Sequence, residues 1–312
     1  FFELYVSNSH NVEVAVFEVL MQLEGDLAVP KCYYSVPFSE QNQLEGSLAL
    51  QFFDSSKVFN VFNNMSLAQV KQIARALGKI QAASVKFGSE KNKCLDHDPW
   101  TEYWKVYTND AFFTQSLGKV KKIDENVLES LQAVIPLIPQ YFGSTLAITI
   151  HKQIGCGRVL VNGDHWSANV LFDAKGDLAS IIDWQLGHLG VGVEDLLRIS
   201  MSAMSSQDRR QYSSELLNDM FDSMESNLDG AQVPYTRKQL FEMYDLLFPH
   251  AAFFFASTIT SVCMVSEEYC FRSNPSSDQA TVEKPPNIRG IFEDILIYHK
   301  KNEKSASALK FK

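Results

Sequence analysis

The alternation of apolar and polar positions predicts several amphipathic helices. The clearest one begins at Ser66, which is placed to form a capping box with Gln69 and precedes apolar residues at helical spacing. Polar residues Ser9 to Asn11 offer a cap for an earlier helix, which the pattern therefore starts at residue 12. The further stretches with a helical pattern are 99–113, 126–141, 205–228 and 288–299.

Short apolar runs between turn residues predict strands. These runs are 30–37, 48–53, 159–161, 170–172 and 178–182. A Lys175-Gly176-Asp177 turn joins the last two into a hairpin. Residues 246–266 contain no Asp, Glu, Lys or Arg, which raises the question of a transmembrane helix. Pro249 and five Ser or Thr residues interrupt that stretch, so a buried helix of a large helical lobe is favoured.

Chemistry-bearing residues gather around the last three strands. Asp164 follows the first of them, Asn169 lies five residues later, and Asp183 ends the third strand. This spacing matches the catalytic loop and metal-binding Asp of kinases, where one carboxylate receives a hydroxyl proton and the other oxygens hold Mg²⁺. A solvated loop and hairpin is the alternative, because the spacing of Asp and Asn alone is common by chance. For His165 we favour a structural or substrate-side position over proton transfer.

The motif VNGDHWSANVLFD…IIDWQ closely resembles the choline-kinase-like (CHK-kinase-like) branch of the aminoglycoside phosphotransferase and choline kinase superfamily, in particular its nematode group. Segments 10–20, 47–54, 205–217 and 241–249 resemble the same family in the same order. The resemblance implies an α+β, protein-kinase-like two-lobed fold. It divides the chain into an N-terminally truncated small lobe at 1–53, a mainly helical large lobe at 54–300 and a polar tail at 301–312.

The resemblance also implies an activity, the ATP-dependent and Mg²⁺-dependent phosphorylation of a hydroxyl group on a small molecule. Asp164 would be the catalytic base, and Asn169 and Asp183 the metal ligands. Asn162 and Asp195 would support the catalytic loop. The family usually has His in place of Asn162, but an Asn side chain also forms hydrogen bonds.

The implied nucleotide site lies near the N-terminus. Glu13 would pair with a nucleotide-binding lysine of the preceding strand, and the backbone from Gln51 to Phe53 would meet adenine. By residue type alone, an ordinary first-turn Glu is favoured for Glu13, and only the resemblance reverses this preference. A plain core strand is the alternative for residues 51–53, whose backbone role no residue type can test. The glycine-rich loop and the lysine belong upstream of the helix, yet the first glycine is Gly25 and the first lysine Lys31. Either that part precedes Phe1, or the protein closes no normal lid over ATP. An inactive, pseudokinase-like binding or scaffold protein is therefore the alternative function.

Net charge and cysteine content limit the classes of partner and ligand that the protein is expected to bind. The net charge of −9 without a basic stripe disfavours nucleic acid. Five scattered cysteines favour reduced thiols in the cytoplasm over a disulfide framework or a zinc site. The interval 184–194 is too short for the activation segment on which protein kinases hold a peptide, so we expect a small-molecule alcohol substrate. No membrane attachment is expected.

Overall fold

The computed structural model describes residues 2–41, 45–59, 64–88, 91, 93–99, 127–141, 145–270 and 288–305. Within its helices, the side chains of residues 2–5, 257 and 260–270 are outside this description. Nearly all of the helix predicted at 99–113 lies outside the described residues.

The chain is an α+β protein, as the sequence predicts, and helices contribute most of the described residues. The helices are α1 (Phe2–Leu20), α2 (Leu67–Phe87), α3 (Leu128–Val134), α4 (Ile138–Tyr141), α5 (Leu146–Ile154), α6 (Glu194–Ala203), α7 (Ser206–Ser226), α8 (Arg237–Cys270) and α9 (Ile288–Lys304). The strands are β1 (Cys32–Val36), β2 (Ser47–Leu50), β3 (Lys57–Val58), β4 (Val159–Val161), β5 (Val170–Phe172), β6 (Leu178–Ile181) and β7 (His188–Gly190).

Helix α1 begins at Phe2 rather than after the expected cap at Ser9 to Asn11. The cap prediction is wrong because these polar side chains have partners outside the helix. Asn11 donates through Nδ2 to the carbonyl of Phe38 at 2.9 Å and accepts from its N–H at 2.7 Å. His10 Nε2 lies 2.9 Å from the carbonyl of Val36. The polar residues therefore attach α1 to the end of β1.

Helix α2 packs against α7 and bonds to strand β4. Its capping box, predicted from Ser66 and Gln69, is confirmed. Gly78 allows close packing against α7, because a Cβ at this position would lie 2.3 Å from the carbonyl oxygen of Met220. At the other end, Ser84 Oγ accepts the N–H of Leu160 at 3.1 Å. This bond fixes β4, the strand that leads into the Asp164 loop, against α2.

The described strands form three small antiparallel sheets. Strand β1 pairs with β2, β5 lies between β3 and β6, and β4 pairs with β7. The predicted hairpin of β5 and β6 is confirmed. Strand β2 ends at Leu50, so Gln51 to Phe53 follow it as irregular chain rather than strand. The N–H of Ile181 in β6 donates to the carbonyl of Ala28 at 2.8 Å, which joins the hairpin to the segment after α1.

Helix α8 contains the uncharged stretch 246–266. Leu247, Phe248, Phe253 and Ile259 are at most 2% exposed, in agreement with a buried helix. No single helix among the described residues is long and apolar enough to cross a membrane. One bent pair, Leu128–Tyr141 with Leu146–Ile154, meets the test jointly by length and composition only.

Helix α9 extends to Lys304, five residues beyond the predicted end at 299. A buried ion pair joins it to α7. The carboxylate of Asp294, which is fully buried, accepts from Arg209 Nε at 2.8 Å and also from Arg209 Nη2 and Arg210 Nε. Since the Arg209 side chain is itself only 2% exposed, neither charge has bulk water as an alternative partner.

Substitution Asp294→Ala is expected to lower the free energy of unfolding by about 3–5 kcal/mol, because it leaves the buried Arg209 guanidinium without its carboxylate. Glu293→Ala is the matched control. Glu293 bonds Arg210 and Arg289 at the surface, so its loss should cost below about 1 kcal/mol. Urea unfolding of both variants measures the difference, and equal losses would contradict a structural role for the Arg209–Asp294 pair.

Candidate active site

The loop between β4 and β5, residues 162–169, carries the residues singled out by the sequence. The buried strand β4 ends at Val161, and a 3₁₀ turn at Ser167–Asn169 leads into β5. Asn169 donates through Nδ2 to the carbonyl of Asp164 at 2.9 Å, which closes the loop on itself. Its side chain also bonds Asp183, and its carbonyl accepts the N–H of Ile182 at 3.0 Å. The hairpin thus brings Asn169 and Asp183 together.

Asp195, in the first turn of α6, holds the start of this loop. Its carboxylate is 1% exposed and accepts the backbone N–H of Asn162 at 2.7 Å and of Gly163 at 3.0 Å. Burial raises the pKa of Asp195 to about 6, against the opposite effect of the two N–H groups. Gly163 has φ +80° and lies so close to Leu186 that a Cβ would be 2.4 Å from its carbonyl oxygen. A glycine is therefore required here.

Asn162 links the two halves of the site. Its side chain donates through Nδ2 to the carbonyls of Asp183 at 2.9 Å and Ile182 at 3.3 Å. Its Oδ1 accepts the N–H of Asp164 at 3.2 Å. One buried amide therefore fixes Asp164 relative to the end of β6, so the Asn at this position forms a complete set of structural hydrogen bonds.

Asp183 lies at the end of the hairpin in the left-handed region, with φ +59°. Burial, followed by the negative charges of Asp164 and Glu13, raises the pKa of Asp183 to about 6. Bonds from the N–H of Gln185 and from Asn169 partly offset this effect. The carboxylates of Asp164 and Glu13, which come from separate elements, therefore each lie close enough to Asp183 to repel its negative charge.

Glu13 reaches this cluster from α1. Its Oε1 accepts the backbone N–H of Trp184 at 3.1 Å, immediately after Asp183. Burial raises the pKa of Glu13, while the Trp184 N–H and the charge of His10 act in the opposite direction. The indole of Trp184 is fully buried and donates to the carbonyl of Ile181 at 3.0 Å. Glu13 thus holds the backbone at the end of the hairpin through its hydrogen bond with the Trp184 N–H.

Gln51 and Phe53 do not take part in these contacts. The backbone N–H of Gln51 donates to the carbonyl of Lys31 at 2.8 Å, and its Oε1 accepts the N–H of Lys31 at 3.3 Å. The Gln51 N–H therefore already donates a hydrogen bond within the protein. Phe53 is partly buried, while its neighbour Phe52 is 85% exposed. An adenine contact in this segment would have to use another backbone group than the Gln51 N–H.

The histidines near the site are structural. His165 is fully buried, and neither ring nitrogen has a hydrogen-bond partner. Burial, reinforced by the charge of Arg198, lowers its pKa to about 3, so the ring is neutral near pH 7. Of the two positions predicted for His165, complete burial agrees with the structural one. His188 Nε2 lies 3.3 Å from Glu194 Oε2, which together with other hydrogen bonds outweighs burial and raises its pKa.

Sequence reasoning missed Arg198. This residue lies one helical turn after Asp195 in α6, and its Nη2 donates to Oδ1 of Asp164. The Arg198 side chain is 9% exposed and that of Asp164 21% exposed. Because residues three apart share a helix face, the spacing of Asp195 and Arg198 is the signal that could have identified it.

The side chains at the loop and the end of the hairpin offer oxygen atoms, which are donors that a hard cation prefers. Among the residues that the structure describes, no three His, Cys, Asp or Glu side chains form a metal-binding group. Asp183 and Asn169, whose side chains bond each other, instead offer one carboxylate and one amide oxygen. Oxygen donors of this kind are what Mg²⁺ prefers, and transition metals prefer nitrogen or sulfur.

Curated relatives were found in Caenorhabditis elegans. An "Uncharacterized kinase-like protein" is 23% identical over 222 residues, which is 69% of this chain and 56% of the relative. The "Uncharacterized oxidoreductase dhs-27" is 20% identical over 237 residues, 70% of this chain and 27% of the relative. The chain therefore spans about half of one curated relative and about a quarter of the other.

Similar solved structures include phosphotransferases. Choline kinase LicA from Streptococcus pneumoniae has a TM-score of 0.40 and 13% identity, covering 95% of this chain and 80% of the enzyme. A mutant aminoglycoside 2'-phosphotransferase in complex with GDP has a TM-score of 0.46 and 10% identity, covering 96% and 83%. Because both scores lie below 0.5, the family assignment rests on the sequence match alone.

A family model described as "Uncharacterized oxidoreductase dhs-27" matches residues 1–303, nearly the entire chain. That description carries the name of a relative of which this chain spans 27%. The protein therefore belongs to the DUF1679 family.

Proposed function

We propose that this protein is an ATP-dependent phosphotransferase with a kinase-like two-lobed fold that acts on the hydroxyl group of a small molecule. The observation that carries the proposal is the 162–169 loop, in which Asp164 and Asn169 are joined by hydrogen bonds to the Asp183 end of the hairpin. The spacing of these residues matches that of the kinase catalytic loop and metal-binding Asp, and their proximity in the fold supports the proposal. The similarity to a kinase-like protein of Caenorhabditis elegans and the choline-kinase-like sequence motif support it.

Asp164 is the proposed general base. As the acceptor oxygen bonds to the γ-phosphorus, its proton passes to the Asp164 carboxylate while the bond between γ-phosphorus and the leaving ADP oxygen breaks. One carboxylate oxygen of Asp164 is held by Arg198, which leaves Oδ2 to face the acceptor. Hydrogen bonds to Asn162 and Asn169 fix the backbone of Asp164 on both sides.

Asn169 and Asp183 are the proposed ligands of Mg²⁺. When bound, the cation would neutralise charge on the ATP phosphates during transfer. The residues present fit such a group, since the Asp183 carboxylate is largely buried and lies beside the negative charges of Asp164 and Glu13, and burial followed by these charges raises its pKa. A bound cation relieves this repulsion, so the cluster has an electrostatic reason to take one.

The short connection after Asp183 supports a small acceptor. Strand β7 follows almost at once and pairs with β4, and α6 begins at Glu194. Residues 184–193 are thus used to return the chain to the loop that Asp195 holds. This interval leaves no length for a separate peptide platform.

The alternative is a binding or scaffold protein of the same fold without activity. One observation favours it: the N–H of Gln51, in the segment expected to meet adenine, is engaged by the carbonyl of Lys31. Turnover of ATP that is lost in Asp164→Ala would eliminate this alternative.

Nucleotide binding is expected to require Mg²⁺ and to depend on Asp183. In the full-length protein, Asp183→Asn should weaken MgADP affinity at least about 10-fold, because it removes a charged metal ligand. Asp164→Asn should bind MgADP within about 3-fold of wild type but lose phosphoryl transfer. Isothermal titration calorimetry and release of labelled phosphate measure the two effects.

Asp177→Asn is the matched control for this experiment. It makes the same chemical change at an exposed turn of the same hairpin, and affinity should remain that of the wild type. Absence of MgADP binding by the wild-type protein would overturn the proposed function.

The stability of the metal-free protein is expected to depend on pH through Asp183. Its folded-state pKa of about 6 exceeds the ordinary value of 3.8, so the folded chain binds the proton more readily than the unfolded chain. Stability from this group therefore increases as pH falls from 7 towards 4 and is lost as pH rises through 6. Asp183→Asn should stabilise the protein at pH 7 by about 1 kcal/mol, with the gain vanishing near pH 4.

Urea unfolding in EDTA at several pH values tests this dependence, again with Asp177→Asn as the control. A gain that stays constant between pH 4 and pH 7 would show that repulsion between ionised carboxylates is not its cause.

A further inference from the structure

Arg198 has a position that the proposed reaction does not by itself explain. A basic side chain that is 9% exposed lies in direct contact with the proposed general base. Desolvation makes such a group costly, so it persists where its contacts compensate for the lost water. Its partner Asp164 lies in the 162–169 loop, 34 residues earlier in the chain.

Three elements fix the guanidinium in place. Helix α6 supplies the backbone, and the same helix holds the loop through Asp195. The ring of Phe254 in α8 lies under the guanidinium, with Cζ 4.3 Å from the ring centroid. Asp164 supplies the carboxylate. A planar cation stacked on an aromatic ring and bonded to an acid has little rotational freedom, and arginine suits both contacts.

The consequence for Asp164 is a fixed carboxylate plane. Without Arg198, its side chain could rotate away from the acceptor or towards the other acids of the site. With Oδ1 held by a donor, Oδ2 points in one direction only. Misplacement of a reacting group by 1 Å costs about 100-fold in rate, so a contact of this kind matters for catalysis.

We propose that Arg198 is the positioning residue of the reaction, which holds the Asp164 carboxylate in the orientation that receives the acceptor proton. The inference rests on the proposed function. Arg198 touches neither the acceptor nor the nucleotide in this assignment and acts through Asp164.

Titratable side chains and a small cavity surround the Arg198–Asp164 pair. Asp183 faces Asp164 from the hairpin, Glu13 lies beyond it next to Asp183, and the ring of His165 lies near the Arg198 charge. Behind Arg198 lies a cavity of about 30 Å³, lined in part by Glu194, His250 and Phe254. A cavity of this size has room for about two water molecules. Truncation of Arg198 would join its side-chain volume to this cavity and create a space that a guanidinium ion fits.

The test uses Arg198→Ala in the full-length protein, with ATP hydrolysis as the assay and water as the acceptor. The expected result is a kcat about 100-fold below wild type with a KM for MgATP within about 3-fold, since positioning acts on the chemical step. Millimolar guanidinium should restore much of the lost kcat. Urea, which is neutral and of similar shape, should not.

Arg75→Ala is the control variant. Arg75 is 54% exposed and pairs with Asp219 at the surface, far from the loop in sequence, so its removal should leave kcat unchanged with or without guanidinium. Arg198→Lys covers the case in which the Ala variant does not fold. It keeps the charge but lacks the planar fork, so its kcat should lie between those of wild type and Ala.

The outcomes separate the two ideas. If the wild-type protein hydrolyses ATP and a folded Arg198 variant has the same kcat, the positioning role is overturned and the proposed function remains intact. A fall in kcat that neither guanidinium nor Lys restores also overturns it, because it indicates general damage. A wild-type protein that neither binds MgADP nor hydrolyses ATP removes the proposed function, and the inference with it.

Discussion

Two backbone N–H groups at the start of the 162–169 loop bond to one buried carboxylate, that of Asp195, and the geometry of the candidate site depends on this contact. A loop that must place a reactive side chain cannot rely on sheet hydrogen bonds, since it lies outside the strands. The carboxylate of Asp195 takes their place and is supplied by the helix that follows the hairpin. Its raised pKa shows that burial of this acid is costly, which the two charge-assisted bonds offset in part.

The site concentrates negative charge and counters it with one fixed cation. Asp164, Asp183 and Glu13 arrive from the loop, the hairpin and α1. Among these three acids, Arg198 forms an ion pair with Asp164. The remaining acids repel each other in the metal-free state, and in the proposed function a divalent cation would relieve this repulsion. The same charges that make the folded chain sensitive to pH therefore support the proposed chemistry.

The family description carries the name of a relative that this chain covers only in part. The oxidoreductase name belongs to a protein of which this chain spans about a quarter, whereas the kinase-like relative is matched over about half of its length. The spacing of Asp164 and Asn169 in the 162–169 loop is the feature on which the proposed phosphoryl transfer rests. The chemistry of the matched region is thus inferred from its own residues rather than from that name.

Local patterns in the sequence determined the strands β4 to β6, the α2 capping box and the grouping of Asn169 with Asp183, because turn residues and periodicity act over a few positions. Tertiary structure decided what depends on distant partners. Asn11 bonds to Phe38 instead of capping α1, and the Gln51 N–H is taken by Lys31. The contact between Arg198 and Asp164 joins a helix to a loop, and no local pattern specifies which acid a buried arginine meets. That pairing is fixed by how α6 packs, which is a property of the folded chain.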